Sequence, residues 1–200
     1  TYYRVNTCMY VFGNGESRAS VNIDKLEGTK VGCNAICRDY NMDHLICVDR
    51  RMVQEALDKN ANQHSYIYTR QDWIPQFDAT RLRTVPKLPY SGPERWDEPF
   101  QWGSGPYAVL LAAKLCKKAT VHLVGFDLHS NTSTVNNIYK DTDNYDTADK
   151  RAVDPRYWVH QIGMVFSYYT KIKFVVHNDN FKLPETWKQP NVLLDTISSL

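Results

Sequence analysis

Short apolar runs alternate with amphipathic segments along the first third of the chain. β-prone runs cover 8–12, 29–33, 44–48 and 65–69, and a glycine or a polar residue follows each of the first three. Residues 50–59 place their apolar side chains three and four positions apart, which is the spacing of a helix with one buried face. The pattern therefore predicts strands that alternate with helices.

The same alternation continues in the second half of the chain. A helix is predicted over 105–115, where a proline suits the first turn, and an apolar strand over 120–125 follows directly. A second helix is predicted from the Asp-Pro pair that opens 154–169, because its apolar positions share one face. A last strand is predicted over 172–176, and the tail beyond it carries only a weak helix signal at 192–197.

Two segments interrupt this alternation. Prolines and aromatic residues predict an irregular excursion over 70–101, and a run rich in Asn, Asp, Thr and Ser predicts a lid-like loop over 129–153. Parallel strands must be joined by crossovers, so strands alternating with helices favour a parallel sheet. The predicted fold is a single doubly wound, mostly parallel, Rossmann-like α/β sheet. It has helices on both faces and a flap, and one domain is expected over 1–200.

The composition is that of an ordinary soluble domain. Hydrophobic residues make up 42% and charged residues 23% of the 200 positions, and no apolar run approaches the ~20 residues of a membrane span. The first residues carry no signal-peptide core, so a cytoplasmic protein is expected. A net charge of +2 gives no strong nucleic-acid signal, and a homo-oligomer is compatible with the sequence. The five cysteines include no Cys-x-x-Cys pair, and we expect buried thiols.

Polar residues stand at the carboxyl ends of four predicted strands. They are Asn14, Asn34, Asp49 and Asp127. In open α/β sheets the ligand binds beyond these strand ends, so the four side chains are expected to converge on one rim. The alternative for the two aspartates is local: Asp49 precedes a helix that it could cap, and Asp127 could hold the next loop.

Two segments have the character of anion-binding loops. Gly-Asn-Gly-Glu-Ser at 13–17 follows a strand, and its small residues let backbone N–H groups approach an anion closely. Arg18 stands where a dinucleotide fingerprint has its third glycine, so the segment is either a phosphate loop of another kind or a simple turn. Ser-Gly-Pro at 104–106 opens the clearest helix, whose N-terminus could receive a phosphate or be an ordinary cap.

Candidates for acid and base chemistry are fewer. His129 follows a strand and His160 lies on a predicted helix, and a histidine exchanges a proton near neutral pH. Either one could instead be structural. The acidic run 141–146 departs from a calcium loop at the required glycine and glutamate, so no metal site is predicted.

Four short strings in this chain resemble a known family in their order and spacing. They are Phe12-Gly-Asn-Gly-Glu-Ser17, Gly32-Cys-Asn34, Ser104-Gly-Pro-Tyr107 and Gly125-Phe-Asp127. The resemblance is to the bacterial CMP-sialic-acid-dependent sialyltransferases of the small, single-domain, lipooligosaccharide-modifying type, and it spans about residues 8–178. Related sequences also occur in motility-associated proteins and in bacteriophages.

The resemblance implies a nucleotide site and a reaction. The donor would be a CMP-sugar of the sialic-acid type, and its sugar would pass to a hydroxyl of a glycan or another acceptor, with inversion. Neither a metal nor a further cofactor would be needed. The resemblance implies that Asn14, Gly15, Asn34, Ser104 and Gly105 hold the CMP portion. With the loop and strand-end candidates added, the predicted nucleotide-binding residues are Gly13, Asn14, Gly15, Ser17, Asn34, Asp49, Ser104, Gly105 and Asp127. Asp49 stands where the family has an asparagine.

The implied catalytic residues lie in and beyond the lid-like loop. The family uses tyrosines near the flap to favour phosphate departure, which implies Tyr139 and Tyr145, and a histidine beyond it as base, which implies His160. His129 stands where a tyrosine would follow the Gly-x-Asp step. Two alternatives stay open. One is a nucleotide-binding module that has lost transfer, and the other is a phage enzyme, in a host cytoplasm, that modifies nucleic acid or a nucleotide.

Overall fold

The computed structural model of the protein describes residues 8–116, 120–128, 137–140 and 155–200. Within these ranges the chain forms strands and α-helices joined by loops and short 3-10 helices. The strands are β1 (Cys8–Phe12), β2 (Thr29–Cys33), β3 (His44–Ile46), β4 (Tyr66–Thr69), β5 (Leu82–Thr84), β6 (Thr120–Val124), β7 (Lys173–His177) and β8 (Val192–Asp195). The α-helices are α1 (Arg50–Asp58), α2 (Ser104–Leu115) and α3 (Arg156–Tyr168).

The strands form one sheet in the order β5-β4-β3-β2-β1-β6-β7-β8. Every neighbouring pair is parallel. The order reverses between β1 and β6, which are adjacent in space although more than 100 residues separate them along the chain. The predicted Rossmann-like α/β architecture is confirmed, and a ligand cleft is expected at this reversal.

Neighbouring side chains in strands β1, β3, β4 and β6 enter two separate apolar layers. Val11 packs in the layer that contains α2 and α3, whereas its neighbour Phe12 packs in the layer that contains α1. This is the period of two that a strand imposes, and it places helices on both faces of the sheet. Helix α2 is buried on nearly every side from Pro106 to Ala113, which explains its almost uniformly apolar sequence.

The structure corrects two of the predicted elements at the sheet edges. The tail predicted as a weak helix forms β8 instead. A short isolated helix is only marginally stable, whereas a strand at this position forms hydrogen bonds with the edge of β7. Strand β5 lies within the predicted irregular excursion, and its three residues are too few to give a periodic signal. Most of the predicted lid-like loop lies outside the described residues.

The cysteine side chains are buried to different degrees. All five cysteines are free thiols; Cys33, Cys47 and Cys116 are buried and the other two are half-buried. Burial raises the pKa of Cys33 to about 12, although the Arg18 guanidinium opposes the shift.

In the described part of the chain, no helix combines the length and the apolar character that crossing a bilayer requires.

Candidate functional site

A cavity of about 350 Å³ opens at the carboxyl ends of β1, β2 and β6 and faces the first turn of α2. Its volume is in the range typical of small-molecule sites. The cavity brings together eight residues singled out in the sequence: Gly13, Asn14, Gly15, Asn34, Asp49, Ser104, Gly105 and Asp127. The convergence expected of the strand ends is therefore observed, and the two anion-type loops face each other.

Two glycines allow the loops after β1 and β6 to meet. A Cβ atom on Gly13 would lie 2.5 Å from the carbonyl oxygen of Gly125, so a larger residue would force the loops apart. Gly125 itself has a φ of +81°, which a residue with a side chain rarely adopts. The contact is held by hydrogen bonds from Gly13 N–H to Val124 (2.8 Å) and from Gly15 N–H to Gly125 (2.9 Å).

The side chain of Asn14 is occupied within the protein. Its Nδ2 donates to the carbonyl of Cys33 at 3.0 Å, and its Oδ1 accepts from Nη2 of Arg18 at 3.0 Å. The backbone N–H of Asn14, by contrast, has no hydrogen-bond partner in the described part of the chain. What Asn14 offers a ligand is therefore its backbone N–H, while its amide group holds β1 against β2.

Asn34 shows the opposite arrangement. Its Oδ1 is buried and has no hydrogen-bond partner among the described residues, although Asn34 lines the cavity. Its backbone is left-handed, with a φ of +53°. Buried polar atoms are nearly always paired in native proteins, and strained backbone collects at functional sites. Both features make Asn34 a candidate for ligand contact at the cavity.

The start of α2 is open to the cavity. Gly103 occupies the N-cap position, and no side chain caps the helix. The N–H groups of Ser104 and Gly105 lie in the first turn, where no intrahelical acceptor exists, and the positive end of the helix dipole lies there too. The Oγ of Ser104 accepts from the N–H of Val48 at 3.1 Å. An ordinary side-chain cap is thus absent from this helix start, which is suited to an anion.

Asp127 fastens the glycine loop to the end of β6. Its carboxylate accepts from the backbone N–H of Ser17 at 2.9 Å, from the Ser17 hydroxyl and from Nδ2 of Asn178 at 3.2 Å. Ser17 itself does not line the cavity; it acts on the loop through Asp127. A Cβ on Gly15 would lie only 2.6 Å from this carboxylate, which explains the second glycine of the loop.

Asp49 both caps helix α1 and lines the cavity. Its Oδ1 caps α1 by accepting from the N–H of Arg51 at 2.8 Å, and its Oδ2 lies 2.9 Å from Nη2 of the same residue. These hydrogen bonds from Arg51 hold the pKa of Asp49 below its ordinary value, so it is a carboxylate at neutral pH. Asp49 also lines the cavity, where an ionised carboxylate can only accept hydrogen bonds.

The structure does not bring Tyr139 to the cavity. Its side chain is 5% exposed, and its hydroxyl lies 2.8 Å from a carboxylate oxygen of Asp39 and 3.2 Å from Nη2 of Arg18. Burial raises its pKa to about 12. The same short segment touches the glycine loop, because Ile138 N–H donates to the carbonyl of Asn14 at 2.9 Å. Tyr139 is therefore placed to support that loop rather than to contact a ligand.

His160 also lies away from the cavity. Trp158, two positions earlier in α3, lines the cavity. Successive side chains of a helix are about 100° apart around its axis, so His160 points to nearly the opposite side of α3. The Nε2 of His160 lies 2.6 Å from Oδ1 of Asp97 instead. Burial would raise the pKa of Asp97, but hydrogen bonds from His160 and from the Glu94 N–H hold it below its ordinary value. The pair joins α3 to the proline-rich segment before α2.

Other predicted residues lie outside the part of the chain that the structure describes. These are His129, Tyr145 and the acidic run 141–146. Across 8–116, 120–128, 137–140 and 155–200, no three His, Cys, Asp or Glu side chains come close enough together to hold a metal ion.

Sequence reasoning missed several residues that shape the cavity. Arg18 supports its floor, and Val48, Gly103, Phe126 and Trp158 line it. The sequence did mark Arg18, because it stands where a dinucleotide fingerprint has its third glycine. Nothing in the sequence marked the other four, which are apolar or small residues whose position depends on the packing of α2 and α3.

An all-parallel sheet with a cavity at its point of reversal defines a Rossmann-like α/β architecture. Among solved structures, the chain is similar to the monofunctional α-2,3-sialyltransferase Cst-I from Campylobacter jejuni. Sequence identity is 13%, the TM-score is 0.56, and the match covers 90% of this chain and 78% of Cst-I.

The chain is also similar to the sialyltransferase CstII from Campylobacter jejuni, solved in complex with the substrate analogue cytidine-5'-monophosphate. Here identity is 13%, the TM-score is 0.51, and coverage is 84% of this chain and 79% of CstII. No family model matches the chain. No curated protein matches it either. The similarity therefore establishes a sialyltransferase-like fold.

Proposed function

We propose that the protein binds a CMP-sugar in this cavity and transfers the sugar to an acceptor hydroxyl, with inversion and without a metal. One observation carries the proposal. Asn14, Asn34, Ser104 and Gly105 line the same cavity; the backbone N–H groups of Asn14, Ser104 and Gly105 and the buried Oδ1 of Asn34 have no hydrogen-bond partner among the described residues. A nucleoside monophosphate needs hydrogen-bond donors for its phosphate and an acceptor for a hydroxyl or amino group of its ribose or base.

Each part of the nucleotide then has a partner. The phosphate accepts hydrogen bonds from the N–H groups of Asn14, Ser104 and Gly105. Oδ1 of Asn34 and the carboxylate of Asp49 accept from ribose hydroxyls or from the amino group of the base. The fold that this chain shares with CstII, whose solved complex contains cytidine monophosphate, supports cytosine as the base.

The chemistry follows from this placement. A base removes the acceptor hydroxyl proton as the acceptor oxygen bonds to the anomeric carbon. The bond from that carbon to the phosphate oxygen breaks, and CMP departs with the electron pair. Backbone N–H groups at the helix start stabilise the charge that develops on the phosphate. Because His160 and Tyr139 are occupied elsewhere, His129 as base and Tyr145 as leaving-group donor are the preferred assignments in this proposal.

A binding screen and a donor-hydrolysis assay test the function. Thermal shifts with CMP, UMP, GMP and AMP should single out CMP, since a ligand at one hundred times its Kd adds ~2.7 kcal/mol of stability. The protein should then release CMP slowly from CMP-sialic acid without an acceptor. Equal shifts for all four nucleotides, or none, would contradict the proposal.

A second candidate function is a nucleotide-binding module that has lost transfer. The observation that favours it is that neither His160 nor Tyr139 lines the cavity, since each is hydrogen-bonded to a carboxylate elsewhere. The hydrolysis assay separates the two functions, because the module would bind CMP without releasing it from a CMP-sugar.

A further inference from the structure

Arg18 is 3% exposed, and its guanidinium lies against the glycine loop. Its Nε donates to the carbonyl oxygen of Gly13 at 2.8 Å. Its Nη2 donates to Oδ1 of Asn14 at 3.0 Å and lies 3.2 Å from the hydroxyl of Tyr139. Every one of these partners is neutral.

No carboxylate in the described part of the chain forms an ion pair with Arg18. Asp39 comes nearest through an intermediary, since it binds the Tyr139 hydroxyl that also contacts Arg18. Arg38 makes the contrast clear. It lies over the same tyrosine ring, at 5.4 Å against 5.7 Å for Arg18, but it is paired with Glu55 at 2.5 Å. A buried guanidinium that no carboxylate of the described residues contacts directly is unfavourable, and an anion in the adjacent cavity would offset that cost.

The bond from Arg18 to Gly13 also orients the loop. A trans peptide unit carries its C=O and the following N–H on opposite sides. With the Gly13 carbonyl held by Arg18, the N–H of Asn14 is turned away from the guanidinium. This is the N–H that has no partner among the described residues. One side chain therefore supplies a positive charge and fixes a hydrogen-bond donor at the same loop.

We propose that Arg18 makes the cavity select ligands that carry a phosphate group. It acts as a positioning residue and as a buried counter-charge, and it does not touch the ligand. The inference rests on the proposed function for the identity of the nucleotide. The proposed role of Arg18 requires only that an anion binds in the cavity. The role of Arg18 and the identity of the nucleotide can therefore be tested separately.

Calorimetric titration of CMP and of cytidine into Arg18 variants tests this role. In R18M the Kd for CMP should rise about tenfold or more, while the Kd for cytidine changes less than about threefold. R18K keeps the charge and should retain most of the preference for CMP over cytidine. R38M is the matched control: it removes a cation that Glu55 already neutralises, and it should leave the preference unchanged.

The result that would overturn the proposal is a proportional loss of CMP and cytidine binding in R18M, because a merely structural role weakens both equally. If R18M does not fold, R18Q replaces it, since glutamine can still donate to the Gly13 carbonyl. Inorganic phosphate supplies an independent test. It should stabilise the wild type and not R18M or R18Q, and phosphate stabilisation without CMP binding would reject the nucleotide and keep Arg18. A wild type that binds neither overturns both.

Discussion

The hydroxyl oxygen of Ser104 accepts a hydrogen bond from the backbone N–H of Val48 at 3.1 Å, across a sequence separation of 56 residues. The bond joins the first turn of α2 to the chain that leaves β3, and both residues line the cavity. The carbonyl of Val48 is held as well, by Nε1 of Trp73 at 2.9 Å. Two hydrogen bonds within the protein therefore fix this wall of the cavity.

Replacing Ser104 with alanine should lower stability more than it lowers CMP affinity. S104A leaves the Val48 N–H without its acceptor, which costs about 1–2 kcal/mol of unfolding free energy. The backbone N–H groups of the helix start remain, so the CMP Kd should rise less than about fivefold. Urea unfolding and calorimetry measure the two effects, with S167A on α3 as the control. An unchanged unfolding free energy together with lost CMP binding would place the hydroxyl on the ligand instead.

Replacing Asn34 with glycine should separate function from stability. N34G removes an unpaired buried oxygen and still permits the left-handed backbone, so the unfolding free energy should stay within about 0.5 kcal/mol of wild type or rise. The CMP Kd should rise about tenfold or more, because a hydrogen bond to the ligand is lost.

Asn60 provides the matched control for this substitution. It also has a left-handed backbone, with a φ of +57°, but it lies outside the cavity lining. N60G should leave the CMP Kd unchanged. Equal losses of affinity in N34G and N60G would mean that Asn34 acts only through the backbone.

Much of the fold could be predicted from local patterns. Strand β1 and the glycine loop after it form a buried run and a turn, and the parallel rule then places Asn14 and Ser104 at the same edge. Strand β8 could not be predicted, because Leu193 and Leu194 are 46% and 42% exposed and their spacing also suits a helix. An edge strand depends on the neighbour that pairs with it.

The side-chain arrangement of the site was less accessible to sequence reasoning. Tyr139 and Arg18 meet across a separation of 121 residues, and no local pattern reports such a contact. Residue type and the family resemblance both indicate His160, whereas the direction of its side chain depends on which face of α3 is buried. Only the packing of α3 shows that Trp158, two residues earlier, faces the cavity and that His160 therefore does not.

The pair of His160 and Asp97 should contribute to stability rather than to ligand binding. In H160A the CMP Kd should stay within about twofold of wild type, while the unfolding free energy falls by about 1–3 kcal/mol as a buried carboxylate loses its partner. Calorimetry and urea unfolding at neutral pH measure the two. Normal folding and CMP binding with lost CMP release would instead make His160 catalytic.

Acid should weaken the fold through His122. Burial, with a smaller effect from His177, lowers the pKa of His122 to about 4. The unfolded chain then binds the proton more tightly, so this contribution to stability is complete above about pH 6.5 and declines as the pH falls towards about 4. Urea unfolding should show a smaller loss between pH ~7.5 and pH ~5 in H122Q than in wild type. H64Q, at an exposed histidine, should behave as wild type; identical slopes in all three would contradict this pKa shift.

A crystal structure of the protein with CMP tests the central claim most directly. The account predicts the phosphate within hydrogen-bond distance of the N–H groups of Asn14 and Ser104 or Gly105, with the nucleoside against Oδ1 of Asn34. CMP bound anywhere else on the molecule, or a cavity that stays empty at saturating CMP, would contradict it.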